Sequence, residues 1–174
     1  MYSKLGNDPL SIPVFIGISE RFREIEGLTE RSVLENTNSR VQITHLYPDV
    51  ESGCTGFSNV RYSIKYGIYL DCDMIVLGDI AELWSYRRKG RFVCMADGST
   101  EVAVIDCDHN CQNKHQQHLL PKSPIIPLDW NVEDEVRPGM KLLHFTGLNT
   151  QPWFYEHPSQ AAVNVYERYR NQLQ

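Results

Sequence analysis

Residues 67–78 read GIYLDCDMIVLG, an apolar run that two acids interrupt at Asp71 and Asp73. A strand that is buried on both faces has no place for two unpaired carboxylates, because burying a charge without a partner is costly. The sequence therefore predicts that the strand ends here, at a sheet edge where both acids meet an ion or a ligand. Residues i and i+2 of an extended strand share a face, so both carboxylates can reach one hard cation. A turn with two solvated acids is the alternative, since the tripeptide is common.

The segments around this run predict alternating strands and helices. Residues 12–18 and 41–47 have the β-branched or alternating pattern of strands, and Ser19 and Glu20 suit the start of a helix between them. A second helix is predicted after Thr29. Downstream, the pattern predicts a short helix at residues 58–64, strands at 91–96, 102–105 and 141–146, an irregular excursion at 108–124 and a helix at 158–173. This order is typical of an α/β sheet, and we expect one domain over residues 1–174.

Composition and charge argue against several classes of protein. The chain has 174 residues, with 22 acids against 17 Lys and Arg and a net charge of −5, so no basic face for nucleic acid is expected. No apolar run approaches the roughly 20 residues of a membrane span, and the polar start is unlike a secretory signal. The cysteines number five, three of them in strand-like runs. This predicts free thiols, no disulfide framework and a cytoplasmic location.

Four motifs, in order along the chain, resemble those of family 8 glycosyltransferases, the retaining group that includes glycogenin. FSNVRYSIKYGIYLDCDMIVLGDIAELW, at residues 57–84, resembles the Asp-x-Asp region of that family. HFTG at residues 144–147, followed by QPW, is similar to its His-Phe-x-Gly and Lys-Pro-Trp elements. Residues 12–19 are similar to its first strand and nucleotide loop, and residues 95–106 to its second sheet segment. The resemblance implies a single GT-A (Rossmann-like) nucleotide-sugar domain, with a mixed twisted central sheet flanked by helices.

The resemblance also implies an activity and a set of site residues. The activity is metal-dependent transfer of a hexose, glucose or galactose, from a UDP-sugar to a hydroxyl acceptor with retention, with UDP-sugar hydrolysis as a side activity. Asp71, Asp73 and His144 would hold manganese or magnesium, and the imidazole favours manganese. No catalytic side chain is assigned. The implied substrate contacts are Ile16, Gly17 and Ile18 at the uracil, Cys72 at the ribose, Arg61 and Asp129 at the sugar, and Gly147 at the diphosphate.

Some of these residues have simpler alternative roles. Gly17 can equally end the first strand, and Arg61 can equally pair with Glu51 on a surface helix. Trp153 is expected to pack rather than to recognise a ligand. For His144 within its motif, we favour a ligand over an ordinary core or surface histidine.

The chain also departs from the family pattern. The Lys before Pro-Trp is missing, and Thr150 and Gln151 occupy that stretch. The Gly-Asp-Gln element is not recognisable, with only Gln116 or Gln117 as weak substitutes. Residues 99–101 read STE in place of Asn-Ser-Gly, and the chain is short between Arg61 and Asp71. These departures motivate a second hypothesis, a non-catalytic sugar-nucleotide-binding or protein-interaction module of the same fold.

A group of cysteines and histidines offers a rival metal site. Their spacing resembles a compact zinc site, with Cys107, His109, Cys111, His115 and His118 as ligands. Because Cys107 ends a predicted strand and the last two histidines fall in a polar loop, we favour the nucleotide-sugar interpretation. A fold lost to a chelator and restored by zinc rather than manganese would support the zinc site.

Overall fold

The computed structural model describes residues 11–18, 20–47, 64–107 and 121–171. The strands in these ranges are β1 (Ile12–Gly17), β2 (Val41–Leu46), β3 (Tyr66–Asp71), β4 (Met74–Val76), β5 (Arg91–Met95), β6 (Val102–Asp106), β7 (Lys122–Ile126), β8 (Val132–Glu133) and β9 (Leu142–His144). The α-helices are α1 (Glu26–Asn36), α2 (Ile80–Trp84) and α3 (Gln160–Arg170), and 3-10 helices span Glu20–Ile25 and Leu128–Trp130.

The strands form two sheets. The larger has the order β2-β1-β3-β6-β5-β7, in which β1 runs parallel to β2 and β3, while β6 is antiparallel to β3 and β5. The smaller has the order β4-β9-β8. The predicted α/β class with a mixed central sheet is therefore confirmed. Because β1, β2 and β3 are parallel, their carboxyl ends meet at one edge, where open α/β sheets usually bind ligands.

The apolar run at residues 67–78 divides between the two sheets. It forms β3 and β4, with a turn at Cys72 and Asp73 between them. The prediction that the strand ends at the acids is confirmed. A turn, and not one continuous extended strand, brings the two carboxylates together.

The core explains why this run is so apolar. Ile68 and Leu70 of β3 belong to a large core that also includes β4, α1 and α3, whereas Tyr69 belongs to a smaller cluster with Phe92 and Ala103. Since neighbouring side chains of a strand point to opposite faces, β3 is buried on both sides. None of the helices in the described part of the chain combines the length and apolarity needed to span a bilayer.

Two predictions are wrong. The segment at 108–124 is not irregular throughout, because β7 begins at Lys122 and runs parallel to β5. The expectation of free thiols fails at Cys107, which is disulfide-bonded, although Cys72 and Cys94 form no disulfide. A sulfur in a disulfide cannot bind zinc as a thiolate, so the rival zinc site loses this ligand. The other members of that group, and residues 58–63 of the helix predicted at 58–64, lie outside the described residues.

Candidate metal centre

Three side chains that are far apart in the sequence meet where the two sheets join. Asp71, Asp73 and His144 each offer one ligand atom, and these atoms all lie within 4.8 Å of one another. The His144 Nε2 atom is 3.2 Å from Oδ1 of Asp73, and the two side chains are only 6% and 12% exposed. Asp71 ends β3 and His144 ends β9. The predicted convergence of these residues is what the structure shows.

Backbone pairing between β4 and β9 produces this convergence. The two strands are antiparallel, with Met74 opposite His144, and the Phe145 amide donates to the Asp73 carbonyl at 3.0 Å. The ladder thus holds the last residue of β9 beside the turn that carries Asp73. A one-residue slip would turn the imidazole to the other face of the sheet, so the register itself specifies the site.

Asp71 is held by a neighbour on its own strand. The Tyr69 hydroxyl donates to Oδ1 of Asp71 at 2.5 Å, as expected for residues that share a face of β3. A β-carbon at Gly17 would collide with this hydroxyl, so only glycine leaves room for Tyr69 in its present position. Gly17 therefore has a packing role that supports the candidate metal centre, and its contact with uracil stays a prediction.

The His144 ring is oriented by Asn131. Nδ1 of His144 lies 3.0 Å from Oδ1 of Asn131, while Nε2 faces Asp73. An amide oxygen accepts a hydrogen bond, so Asn131 keeps a proton on Nδ1 and leaves Nε2 as the nitrogen available to a cation. The family resemblance implies a sugar contact at Asp129 but assigns Asn131 no role in orienting the histidine.

Electrostatics favour the protonated imidazole while no cation is bound. Desolvation by burial lowers the pKa of His144, but the hydrogen bond and charge of Asp73, with the charges of Asp71 and Glu101, outweigh it. The pKa of His144 is therefore raised above its ordinary value. A cation bound at Nε2 must displace this proton, so its affinity rises with pH.

A polar stripe on α1 holds the backbone of the acidic turn. The Thr29 hydroxyl lies 2.8 Å from the carbonyl oxygen of Cys72 and 2.7 Å from that of Met74. The Val76 amide donates to Ser32 Oγ at 2.9 Å, and Asn36 Nδ2 donates to the Val76 carbonyl at 3.0 Å. Thr29, Ser32 and Asn36 are spaced i, i+3, i+7 and so lie on one face of the helix. Sequence reasoning missed them, although this spacing of small polar residues was a readable signal.

The donor set fits a divalent cation. Two carboxylates and one neutral imidazole suit manganese better than calcium, because nitrogen ligands favour the softer ion. Ligands on opposite sides of such an ion are about 4–5 Å apart, given metal–oxygen distances of roughly 2.0–2.6 Å. The 4.8 Å limit on the separations of these donor atoms matches that span.

Several of the predicted substrate-binding side chains are buried in the core or paired with other residues. The side chains of Ile16 and Ile18 are fully buried in the core, so any contact with a nucleotide would come from their backbone. Asp129 pairs with Lys141 at 3.3 Å, beside the start of β9, whereas His144 ends that strand. The structure thus does not place Asp129 in the Asp71–Asp73–His144 cluster.

Two predicted contacts lie beside the cluster in sequence. Cys72 is buried between the acids, and its carbonyl accepts from Thr29. The Gly147 amide faces Oδ1 of Asp134 at 3.5 Å. Arg61, Gln116 and Gln117 lie outside the described residues.

Comparisons with known proteins identify the fold. The sequence matches no protein-family model and no curated protein. The structure is similar to the apo-form glycosyltransferase GlyE of Streptococcus pneumoniae TIGR4, with a TM-score of 0.65 and 14% identity over 92% of this chain and 60% of GlyE. It is similar to the bifunctional glycosyltransferase WbbM, with a TM-score of 0.59 and 12% identity over 83% of this chain and 47% of WbbM.

A third similar structure is the galactosyltransferase LgtC in complex with donor and acceptor sugar analogs. Its TM-score is 0.62 at 9% identity, over 92% of this chain and 96% of LgtC. The chain spans less than two thirds of the length of GlyE and WbbM. At these identities the likeness establishes a shared GT-A glycosyltransferase fold.

Proposed function

We propose that the chain is a metal-dependent retaining glycosyltransferase of the family 8 type. It transfers a hexose, glucose or galactose, from a UDP-sugar to a hydroxyl acceptor, and hydrolyses the donor slowly as a side activity. The observation that carries the proposal is the convergence of Asp71, Asp73 and His144 within 4.8 Å at the ligand-binding edge of a glycosyltransferase fold. The proposal treats residues 1–174 as one catalytic domain.

The proposed chemistry divides between a cation and the residues around it. Manganese or magnesium held by Asp71, Asp73 and His144 would supply Lewis-acid stabilisation of the negative charge on the departing UDP. Asn131 presents Nε2 of His144, and Tyr69 fixes the Asp71 carboxylate. In the proposed reaction the acceptor hydroxyl approaches the same face of the sugar as the leaving group, so no protein nucleophile is required.

One observation favours the non-catalytic alternative. At the position before Pro152, where the resemblance expects a lysine, the Gln151 side chain is fully buried and its amide donates to the Phe145 carbonyl at 3.1 Å. This residue packs the chain instead of offering a cation to the diphosphate, and a missing cation weakens leaving-group stabilisation. A module of this kind would bind UDP-sugar without turning it over.

UDP release from UDP-glucose and UDP-galactose, measured with manganese and without acceptor, tests the proposal. We expect slow release by the wild type and at least a hundredfold less by Asp73→Asn, since removing one such stabilising group typically costs about 100- to 1000-fold.

The exposed Asp97 provides a matched control, because Asp97→Asn makes the same chemical change away from the cluster. Asp97→Asn should retain wild-type release. Manganese-dependent UDP-sugar binding without any UDP release would favour the non-catalytic module. Release that persists in Asp73→Asn would contradict the role assigned to the cluster.

A further inference from the structure

The edge of the candidate metal centre carries another acid. Strand β6 is antiparallel to β3, with Val102 opposite Leu70. Continuing this register by one residue places Glu101, just before β6, opposite Asp71. Residues directly opposite in an antiparallel pair share a face of the sheet, with Cβ atoms about 4.5–5.5 Å apart. Glu101 therefore lies beside Asp71, on the face of β3 that also carries Tyr69.

One oxygen of this carboxylate has no partner among the described residues. Oε2 of Glu101 is buried and accepts no hydrogen bond there, and Oγ of Ser99, two residues earlier, is in the same situation. Buried polar atoms of folded proteins are nearly always hydrogen-bonded, because losing hydration without a replacement is costly. Of these two oxygens, the register places that of Glu101 beside the candidate metal centre, and its unmet hydrogen bond indicates that a ligand completes it.

The chemistry of a carboxylate restricts this ligand. Glu101 is not among the three residues whose donor atoms cluster within 4.8 Å, so the cation does not require it. An ionised carboxylate accepts hydrogen bonds and repels other anions. Its charge reaches the cluster, where it is one of the causes that raise the pKa of His144. A phosphate or carboxylate beside Glu101 is disfavoured, and a hydroxyl is favoured.

We infer that Glu101 determines which sugar the donor carries. Its free oxygen accepts a hydrogen bond from a ring hydroxyl of a neutral hexose, and its charge excludes a hexuronate. The inference rests on the proposed function, since it requires a nucleotide-sugar at the Asp71–Asp73–His144 cluster.

Binding measurements with three ligands test this role. Dissociation constants for UDP, UDP-glucose and UDP-glucuronate are measured with manganese on the wild type, Glu101→Gln and Glu35→Gln. Glu35→Gln removes the same charge from an exposed position on α1. We expect Glu101→Gln to reduce the preference for UDP-glucose over UDP-glucuronate about tenfold, in line with the effect of one charged hydrogen bond. Any effect of the lost charge on the cation and the diphosphate should appear equally with UDP alone. Glu35→Gln should keep the wild-type preference.

Two readouts separate this role from a structural one. The melting temperature of ligand-free Glu101→Gln should stay close to that of the wild type, because the substitution keeps the shape of a side chain whose Oε2 makes no hydrogen bond among the described residues. In donor hydrolysis, KM for UDP-glucose should rise by a larger factor than the inhibition constant of UDP. If Glu101→Gln folds poorly, Glu101→Ala provides the same comparison without an amide.

The outcomes distinguish this inference from the function on which it rests. An unchanged ratio of UDP-glucose to UDP-glucuronate affinity in Glu101→Gln, with normal UDP binding, would overturn the inference alone. A wild-type protein that binds no UDP with manganese would overturn the proposed function, and the inference with it.

Discussion

Each nitrogen of the His144 ring has its own partner, and these partners determine which nitrogen is available to a cation. Nδ1 faces the Asn131 amide at 3.0 Å and Nε2 faces Asp73 at 3.2 Å. The sequence motif predicted His144 as a ligand but could not predict Asn131, because that contact depends on how the short strands β8 and β9 pair. Residues that orient a metal-ligating histidine through its other nitrogen tune the affinity of the metal.

Removal of the Asn131 side chain should weaken cation binding without unfolding the protein. We expect Asn131→Ala to lower manganese affinity about 10- to 100-fold, the usual effect of losing such a partner. Titration calorimetry with manganese measures the change, and Asn38→Ala, at an exposed position, is the control. Equal manganese affinity in Asn131→Ala and the wild type would show that Asn131 does not orient the ligand.

The raised pKa of His144 predicts how the stability of the metal-free protein depends on pH. Burial lowers this pKa, but Asp73, Asp71 and Glu101 together raise it above its ordinary value. The stabilising contribution is therefore complete below the unfolded-state pKa of about 6.5 and is lost as the pH rises through the folded-state pKa. In the presence of EDTA, the free energy of unfolding of the wild type relative to His144→Asn should be higher at about pH 5.5 than at about pH 9.

Urea denaturation of both proteins at the two pH values measures this difference. A relative stability of wild type over His144→Asn that is constant with pH would show that the imidazole has its ordinary pKa in the folded state.

At the scale of elements, α1 is the support of the acidic turn. Its Thr29, Ser32 and Asn36 side chains hydrogen-bond to the backbone between Cys72 and Val76. Thr29 and Ser32 are fully buried. Buried polar side chains destabilise a protein unless they are hydrogen-bonded, so the helix and the turn depend on each other.

Thr29→Val should test this dependence. Valine keeps the shape of threonine but leaves the carbonyl groups of Cys72 and Met74 without the hydroxyl, which should lower the free energy of unfolding by about 1–3 kcal/mol. We also expect weaker manganese binding, because the turn carries Asp73. Thr29→Ser retains the hydroxyl and should recover most of the manganese affinity. Loss of affinity in Thr29→Ser as large as in Thr29→Val would contradict a role for the hydrogen bond.

The elements differ in how well the sequence predicts them. The break between β3 and β4 was predictable because two acids cannot stay inside a buried strand. Strand β7 was not predictable, because its residues are mostly exposed at the sheet edge and show no apolar alternation. It also includes Pro124, and proline is rare within strands except at sheet edges. The disulfide at Cys107 was not predictable either, since an odd number of cysteines in apolar runs also suits free thiols.

At the scale of the whole molecule, the site depends on the joining of two sheets. Asp71 ends a strand of the larger sheet, and His144 ends a strand of the smaller one. Motif resemblance predicted that these residues meet, and the structure confirms it. Motif resemblance implied a sugar contact at Asp129, whereas the structure pairs Asp129 with Lys141. That pairing depends on where the 3-10 helix Leu128–Trp130 lies relative to β9, which the motifs do not specify.

Calorimetric titration of UDP into the wild-type protein, with manganese and then with EDTA, tests most directly whether the cluster holds a cation that binds a diphosphate. We expect UDP to bind with manganese, and binding to be lost with EDTA and in Asp73→Asn, while Asp97→Asn binds as the wild type does. Absence of UDP binding with manganese, or equal UDP binding with manganese and with EDTA, would contradict this account.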